Sequence, residues 1–150
     1  MDETRQRMTL VRLLYVSRAV GPQTTAVTDS ILSVAQSANR QRGITGVLCQ
    51  GQGLYLQVLE GERSVINRLY NRITQDRRHQ DVELLVLEEI SQRRYADWSM
   101  AHVILSEDDP MIQLRHPEFD PYSAAGQTVM KMVGELFATG NRIRNTSAKR

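Results

Sequence analysis

The sequence has a single cysteine, Cys49, and no long apolar run. One cysteine cannot form a disulfide within the chain, and it excludes a metal site built from several thiolates. The longest aliphatic stretch is the four residues Leu84–Leu87, whereas a membrane-spanning helix needs about 20 apolar residues. The first residues are charged and are not followed by the apolar stretch of a signal peptide. These absences predict a cytoplasmic protein that does not act at a membrane.

Acidic residues are missing from the end of the chain. The sequence has 19 Lys and Arg against 17 Asp and Glu, a formal net charge of +2. Four of these cations follow Gly140, so the residues before it carry 15 cations and 17 acids, a net charge of −2. Because nucleic-acid binding usually requires a basic face on the folded domain, we expect no nucleic-acid partner. Residues 141–150 are predicted to be a basic, disordered tail.

The periodicity of apolar residues predicts five strands and three helices within a chain of 150 residues, the size of one domain. The predicted strands are Leu10–Ser17, Ile44–Gln50, Leu54–Glu60, Val82–Ile90 and Ser99–Leu105. The predicted helices run from Thr24 or Thr25 to Gly43, from Glu62 to Asp76 and from Ser123 to Thr139.

The order β-α-β-β-α-β-β predicts an α+β fold of the ferredoxin-like type, with two helices on one face of the sheet. The third helix follows a proline-rich loop and has an apolar stripe, which we expect to cover the other face of the sheet. The stripe consists of Val129, Met132, Val133, Leu136 and Phe137. We therefore divide the chain into a domain over residues 10–105, a loop and helix over 106–140, and the tail.

Residues typical of hydrolytic or metal sites are absent from the sequence. It contains no paired carboxylates, phosphate-binding glycine loop or nucleophile elbow. The three histidines, His79, His102 and His116, do not have metal-ligand spacing, so no metal is expected. Cys49 lies in the middle of a predicted strand, where a small buried hydrophobic residue is the better interpretation. We expect a protein that is not an enzyme.

Three polar side chains fall on surfaces predicted to be buried. Tyr15 and Gln57 lie on the strand faces assigned to the two helices, and Asn39 faces inward in the last turn of the first helix. Buried phenols and amides need hydrogen-bond partners. They either satisfy one another and the nearby backbone, or they converge on a planar, polar ligand held between the helices.

Six short motifs, in order and at matching separations, resemble those of a BLUF domain, the blue-light sensor using flavin. The resemblance covers residues 10–105. The motifs are Leu14-Tyr15-Val16-Ser17, Asn39, Ile44-Thr45-Gly46-Val47-Leu48, Gln57-Val58-Leu59-Glu60-Gly61, Asp76-Arg77-Arg78-His79 and Trp98-Ser99-Met100.

The resemblance implies four photoactive residues. Tyr15 matches the tyrosine that gives an electron to the excited flavin, and Gln57 matches the glutamine that bridges this tyrosine and the flavin ring. Trp98 and Met100 match a pair on the last strand whose position reports the state of the flavin. Because an amide both donates and accepts hydrogen bonds, Gln57 can relay a proton and then remain in another orientation or tautomer.

The resemblance also implies residues that bind the cofactor, in addition to Tyr15 and Gln57. Asn39 matches the asparagine that hydrogen-bonds the edge of the isoalloxazine ring, and Arg78 and His79 match an Arg-His pair near the polar tail of the flavin. FAD is the implied cofactor, with FMN or riboflavin as possible substitutes. Ala38 departs from the family, whose members often have a polar residue there, so we expect one flavin contact to be missing.

With about 100 residues used by the sensor, we expect a short, stand-alone photoreceptor without a fused output enzyme. It then signals in trans to a partner protein that the sequence does not identify, through residues 106–139, and it forms a homo-oligomer, a dimer or larger.

Two other functions use the same fold. A single-stranded RNA-binding module stacks bases on aromatic residues exposed across its sheet, but the central strands offer only Tyr15 and Tyr55, on the face assigned to the helices. An acylphosphatase-like hydrolase requires an Arg-Asn pair around a phosphate-binding loop. The flavin spectrum of a yellow protein distinguishes the sensor from both.

Overall fold

The structure, a computed structural model, describes residues 9–105, 120–139 and 141–143. Its strands are β1 (Leu10–Ala19), β2 (Thr45–Gly51), β3 (Leu54–Glu62), β4 (His79–Glu89), β5 (Ala101–Ile104) and β6 (Asn141–Ile143). Its helices are α1 (Thr25–Arg42), α2 (Arg63–Ile73) and α3 (Gly126–Thr139). No helix in these described ranges is both long enough and apolar enough to cross a bilayer.

The strands form one mixed sheet in the order β4-β1-β3-β2-β5-β6. β1 lies between β4 and β3 and is antiparallel to both, while β2 and β3 form a hairpin. β5 runs parallel to β2, as expected when a helical crossover precedes the final strands. This topology confirms the predicted ferredoxin-like α+β fold.

Each face of the sheet has its own hydrophobic core, because side chains alternate between the faces along every strand. On one face, residues such as Leu13 and Leu59 pack with Ile66 and Leu69 of α2. On the other face, Leu14 and Val58 pack under α3. The prediction that the third helix covers this second face is confirmed by four of its buried residues, Val129, Met132, Val133 and Leu136.

Helix α3 begins three residues later than predicted. Gly126 is its first residue and lies so close to β4 that a Cβ atom there would be 2.3 Å from the carbonyl oxygen of Leu85. Residues 121–124 form a turn before it. Only a glycine, which has no Cβ atom, allows the backbone to come this close to β4. The first residue of α3 is therefore the residue at which the chain contacts the sheet.

The last described residues differ from the prediction of a disordered tail. Asn141–Ile143 pair with β5 in antiparallel orientation, so the tail prediction is wrong for these three residues. A sheet edge offers unpaired backbone groups, and pairing with them requires no apolar pattern. The remainder of the predicted tail and the proline-rich loop over 106–119 lie outside the described residues.

Strand β5 is shorter than predicted and begins at Ala101 instead of Ser99. The sequence predicted that Trp98 and Met100 stand at the start of this strand, but in the structure both residues precede it. They lie in the connection from β4 to β5, whose backbone is bonded to two side chains of α1 and, at Trp98, to the Gly46 amide of β2.

Candidate functional site

Tyr15 and Gln57 lie directly opposite each other on the adjacent strands β1 and β3. Both side chains point to the face that carries α2, as the sequence predicted. The Tyr15 hydroxyl donates a hydrogen bond of 2.5 Å to Oε1 of Gln57. The register of the two strands therefore fixes a buried phenol–amide pair.

The other end of the Gln57 amide contacts Met100. Nε2 of Gln57 donates to the Met100 sulfur at 3.4 Å, and Met100 is completely buried. Tyr15, Gln57 and Met100 thus form a continuous chain of hydrogen bonds. A thioether is a weak acceptor, so the amide end that contacts Met100 is held more loosely than the end that contacts the phenol.

Burial raises the pKa of the Tyr15 phenol far above its usual value, and the nearby Asp76 carboxylate raises it further. Low solvation penalises the phenolate, and a neighbouring negative charge acts in the same direction. Tyr15 is therefore a neutral hydrogen-bond donor at every physiological pH. The ring centroids of Tyr70 and His79 lie 6.0 and 6.1 Å from the ring centroid of Tyr15.

Asn39 lies in the last turn of α1, which ends at Gly43 in a left-handed conformation with φ of 70°. Nδ2 of Asn39 donates to the carbonyl oxygen of Ser99 at 3.0 Å. One turn earlier, Nε2 of Gln36 donates to the carbonyl oxygen of Met100 at 3.0 Å. Both interpretations of Asn39 remain, because one amide proton bonds the backbone while the residue also borders a cavity.

A cavity of about 360 Å³ lies between α1, α2 and the sheet. This volume is within the range of small-molecule sites. The lining residues are Tyr15, Ala38, Asn39, Arg42, Leu48, Tyr55, Gln57, Leu69, Arg72, Ile73, Asp76, Arg78 and His79. Apolar side chains, two amides and two phenols therefore share the cavity with charged residues.

Three arginines and one carboxylate line the cavity. Arg78 forms an ion pair with Asp76, with 2.5 Å between Nη2 and Oδ2. Its hydrogen bond lowers the pKa of the Asp76 carboxyl, so this carboxylate stays ionised. Arg42 and Arg72 add two positive charges from the last turns of α1 and α2. The lining is therefore net positive.

His79 borders the cavity, but both of its ring nitrogens bond protein atoms. Nε2 lies 2.6 Å from the carbonyl oxygen of Ile73, and Nδ1 lies 2.8 Å from the Ser17 hydroxyl. A carbonyl oxygen only accepts, so Nε2 carries a proton, and Nδ1 shares a hydrogen bond with the Ser17 hydroxyl. His79 therefore offers its ring surface, not a ring nitrogen, to a ligand in the cavity.

Trp98 lies on the other side of the sheet from the cavity. Its indole packs in the core under α3, with 5.7 Å between its ring centroid and that of Phe137. The structure thus brings Met100 to Gln57 but does not bring Trp98 there. Side chains two positions apart diverge because the connection before β5 lacks the strand geometry assumed from the sequence.

Sequence reasoning missed several lining residues. The sequence assigned Tyr55 to the strand face of Gln57 without making it a site residue, and the same alternation could have found Leu48 on that face. Arg42 and Arg72 have a weaker signal, since basic residues in the last turn of a helix are common for electrostatic reasons. Within the described residues, no cluster of His, Cys, Asp and Glu could hold a metal ion.

A small-molecule-binding domain is the class of protein that this fold and cavity define. The family model described as "Sensors of blue-light using FAD" matches residues 10–101. The chain belongs to this family, the BLUF domains, and the resemblance inferred from its motifs is confirmed.

Related proteins agree with the family. Subunit beta of a photoactivated adenylate cyclase from Euglena gracilis is 30% identical over 141 residues, 91% of this chain and 16% of that protein. The ground-state structure of BlsA is 30% identical and has a TM-score of 0.77, covering 91% of this chain and 93% of BlsA. The dark-state structure of the BLUF protein BlrB is 29% identical with a TM-score of 0.73, covering 87% of this chain and 96% of BlrB. The chain spans about one sixth of the length of the Euglena relative.

Proposed function

We propose that the chain is a blue-light photoreceptor that holds a flavin non-covalently in the cavity and switches by rearranging the hydrogen bonds of Tyr15 and Gln57. The observation that carries this proposal is the buried chain from the Tyr15 hydroxyl through the Gln57 amide to Met100, along the wall of the cavity. The proposal is tested by recording whether blue light reversibly shifts the absorption of a bound flavin to longer wavelength.

The chemistry of the cavity fits a flavin. Isoalloxazine is planar, with an apolar benzenoid end and a pyrimidine end that donates and accepts hydrogen bonds. Leu48, Leu69 and Ile73 offer apolar surface, while Asn39 and Gln57 offer amides. We infer that these amides bond the polar edge of the ring.

The positive lining favours flavins that carry phosphate. Arg78 is oriented by Asp76, and we infer that it contacts the polar tail of the cofactor. His79 contributes its ring surface there, because its nitrogens are engaged with Ser17 and Ile73. FAD and FMN carry phosphate, whereas riboflavin does not, so FAD is the cofactor we favour.

The switch follows from the properties of the phenol and the amide. The bound flavin supplies the absorption of blue light and an acceptor for one electron. Loss of an electron makes the Tyr15 phenol a strong acid, and its hydrogen bond directs the proton to Oε1 of Gln57. After the electron and proton have returned to Tyr15, the Gln57 amide keeps a new orientation or tautomer. A flavin held in the cavity would then accept a different hydrogen bond from this amide, which would lower the energy of its absorption and shift it to longer wavelength.

Asn39→Ala is expected to weaken flavin binding several-fold, because an amide contact to the ring is lost without a substitute. The matched control is Gln36→Ala, which removes the same kind of backbone anchor from the same helix, at a residue outside the cavity lining. Flavin affinity measured by titration of the flavin-free protein compares the two. Equal losses would assign Asn39 to support of the Ser99 backbone alone.

We infer that the output passes to a partner protein through the C-terminal part of the chain. The Euglena relative is a photoactivated adenylate cyclase, whose name joins light to a downstream activity. Here the connection that holds Met100 also carries Tyr95 and Trp98, whose rings lie 5.0 and 5.7 Å from the Phe137 ring of α3. Movement of this connection therefore acts directly on α3.

Blue light is expected to change hydrogen exchange in residues 106–139, compared between dark and illuminated protein. The reason is that displacement of the Tyr95 and Trp98 rings, which contact Phe137, loosens α3. We also expect this region to form the contacts of a dimer or larger oligomer. Light-induced differences confined to residues 10–105 would show that the signal leaves by another surface.

No observation favours the RNA-binding alternative. RNA-binding modules of this fold stack bases on an uncovered sheet face. In the described residues, α3 covers that face.

A further inference from the structure

Glu60 is a completely buried carboxylate on β3, on the side of the sheet that faces α3. Its Oε1 accepts hydrogen bonds from the Thr45 hydroxyl and the Tyr95 amide, each at 3.0 Å. Its Oε2 accepts from Nε of Arg12 at 3.0 Å and from the Arg94 amide at 2.8 Å. A buried charge is costly unless it is paired and hydrogen-bonded, and both conditions are met here.

The two amides that Glu60 holds belong to residues 94–100, which we call the 94–100 segment. Three carbonyl oxygens fix the other end of the segment. That of Trp98 accepts from the Gly46 amide at 3.0 Å, and those of Ser99 and Met100 accept from two side chains of α1. Glu60 therefore anchors one end of a short segment, and α1 and β2 anchor the other.

The segment ends at the sulfur that accepts from Gln57. Glu60 and Gln57 are three residues apart on β3, and Nε2 of Gln57 lies 3.4 Å from the Met100 sulfur. A rearrangement of Gln57 that changes this contact displaces the Met100 side chain, and the hydrogen bonds that hold the segment resist that displacement. Hydrogen bonds to an ionised carboxylate are the stronger ones, so Glu60 contributes much of this resistance.

We propose that Glu60 is a positioning residue of the photocycle, whose carboxylate holds the 94–100 segment and thereby sets the rate at which Gln57 returns to its dark arrangement. This inference rests on the proposed function, because it requires Gln57 to rearrange. Glu60 does not touch the cavity, so it acts through Met100.

The test uses Glu60→Gln in the full chain loaded with FAD. The amides of Arg94 and Tyr95 are expected to exchange faster in the dark, since a neutral amide oxygen replaces the carboxylate. After blue light, the absorption is expected to return to the dark spectrum about tenfold faster, equivalent to about 1.4 kcal/mol of barrier. Flavin affinity and the size of the red shift remain those of the unaltered protein.

Glu62→Gln is the matched control. Glu62 lies two residues along the same strand and is only partly buried. Its carboxylate accepts from groups of Ser64 and Val65 at the start of α2, and neither residue belongs to the 94–100 segment. Its recovery rate is expected to equal that of the unaltered protein.

Arg12 pairs with both Glu60 and the partly exposed Glu88. If Glu60→Gln does not fold because Arg12 loses the buried one of these two partners, Arg12→Leu/Glu60→Gln removes both charges of the buried pair and takes the same two measurements. Unchanged recovery with faster amide exchange would overturn the inference, because the segment would then not control Gln57. Unchanged amide exchange would also overturn it, because the charge would not be what holds the segment. Absence of any red shift in the unaltered protein would overturn the proposed function itself.

Discussion

Tyr15→Phe is expected to bind flavin and to show no reversible red shift after blue light. The substitution removes the hydroxyl that donates to Gln57 Oε1 at 2.5 Å and leaves the buried ring in place. Without this hydroxyl, residue 15 has no proton to transfer to Oε1 of Gln57, so the Gln57 amide is not protonated and does not rearrange. Difference absorption spectra before and after illumination measure the effect, and Gln57→Leu is expected to give the same loss.

Tyr55→Phe is the matched control for this loss. Tyr55 also lines the cavity and is also buried, but its hydroxyl is not the one that bonds Gln57. Its variant is expected to keep the red shift. A normal red shift in Tyr15→Phe would refute the assignment of Tyr15, and loss in Tyr55→Phe alone would transfer the role to the other tyrosine.

Gly46→Ala is expected to reduce the free energy of unfolding by about 3 kcal/mol or more. A Cβ atom at Gly46 would lie 1.9 Å from the carbonyl oxygen of Val58, so the β2–β3 hairpin would have to separate. The same backbone position donates to the carbonyl oxygen of Trp98, so the 94–100 segment would be displaced as well. Denaturant unfolding followed by circular dichroism measures the loss.

Gly53→Ala provides the comparison, because its hypothetical Cβ atom meets nothing within 4 Å. Its φ of +78° is unfavourable for alanine, at a cost of about 1 kcal/mol. The close approach at Gly46 therefore predicts the larger loss. Equal losses for the two variants would contradict the tight packing of the hairpin at Gly46.

Alternation along the strands was sufficient to predict the centre of the site. Tyr15 and Gln57 could be assigned to the helix-bearing face because every second residue on a strand points the same way. The apolar stripe of α3 could be predicted in the same way, because its spacing places the apolar side chains on one face of the helix. These predictions depend only on local periodicity.

The parts that could not be predicted depend on irregular backbone and on contacts between distant residues. Trp98 and Met100 diverge to opposite sides because the connection before β5 is bonded to α1, which no local pattern indicates. The carboxylate of Glu60 is held by groups 15, 34, 35 and 48 residues away in sequence. Strand alternation assigns its face but not these partners.

The absorption spectrum of the purified protein, recorded before and after blue light, tests the central claim most directly. We expect a flavin spectrum in the dark, a shift to longer wavelength on illumination, and full return to the dark spectrum without added reagents, because no covalent bond forms. A protein that carries flavin in the cavity and shows no reversible shift would contradict the account.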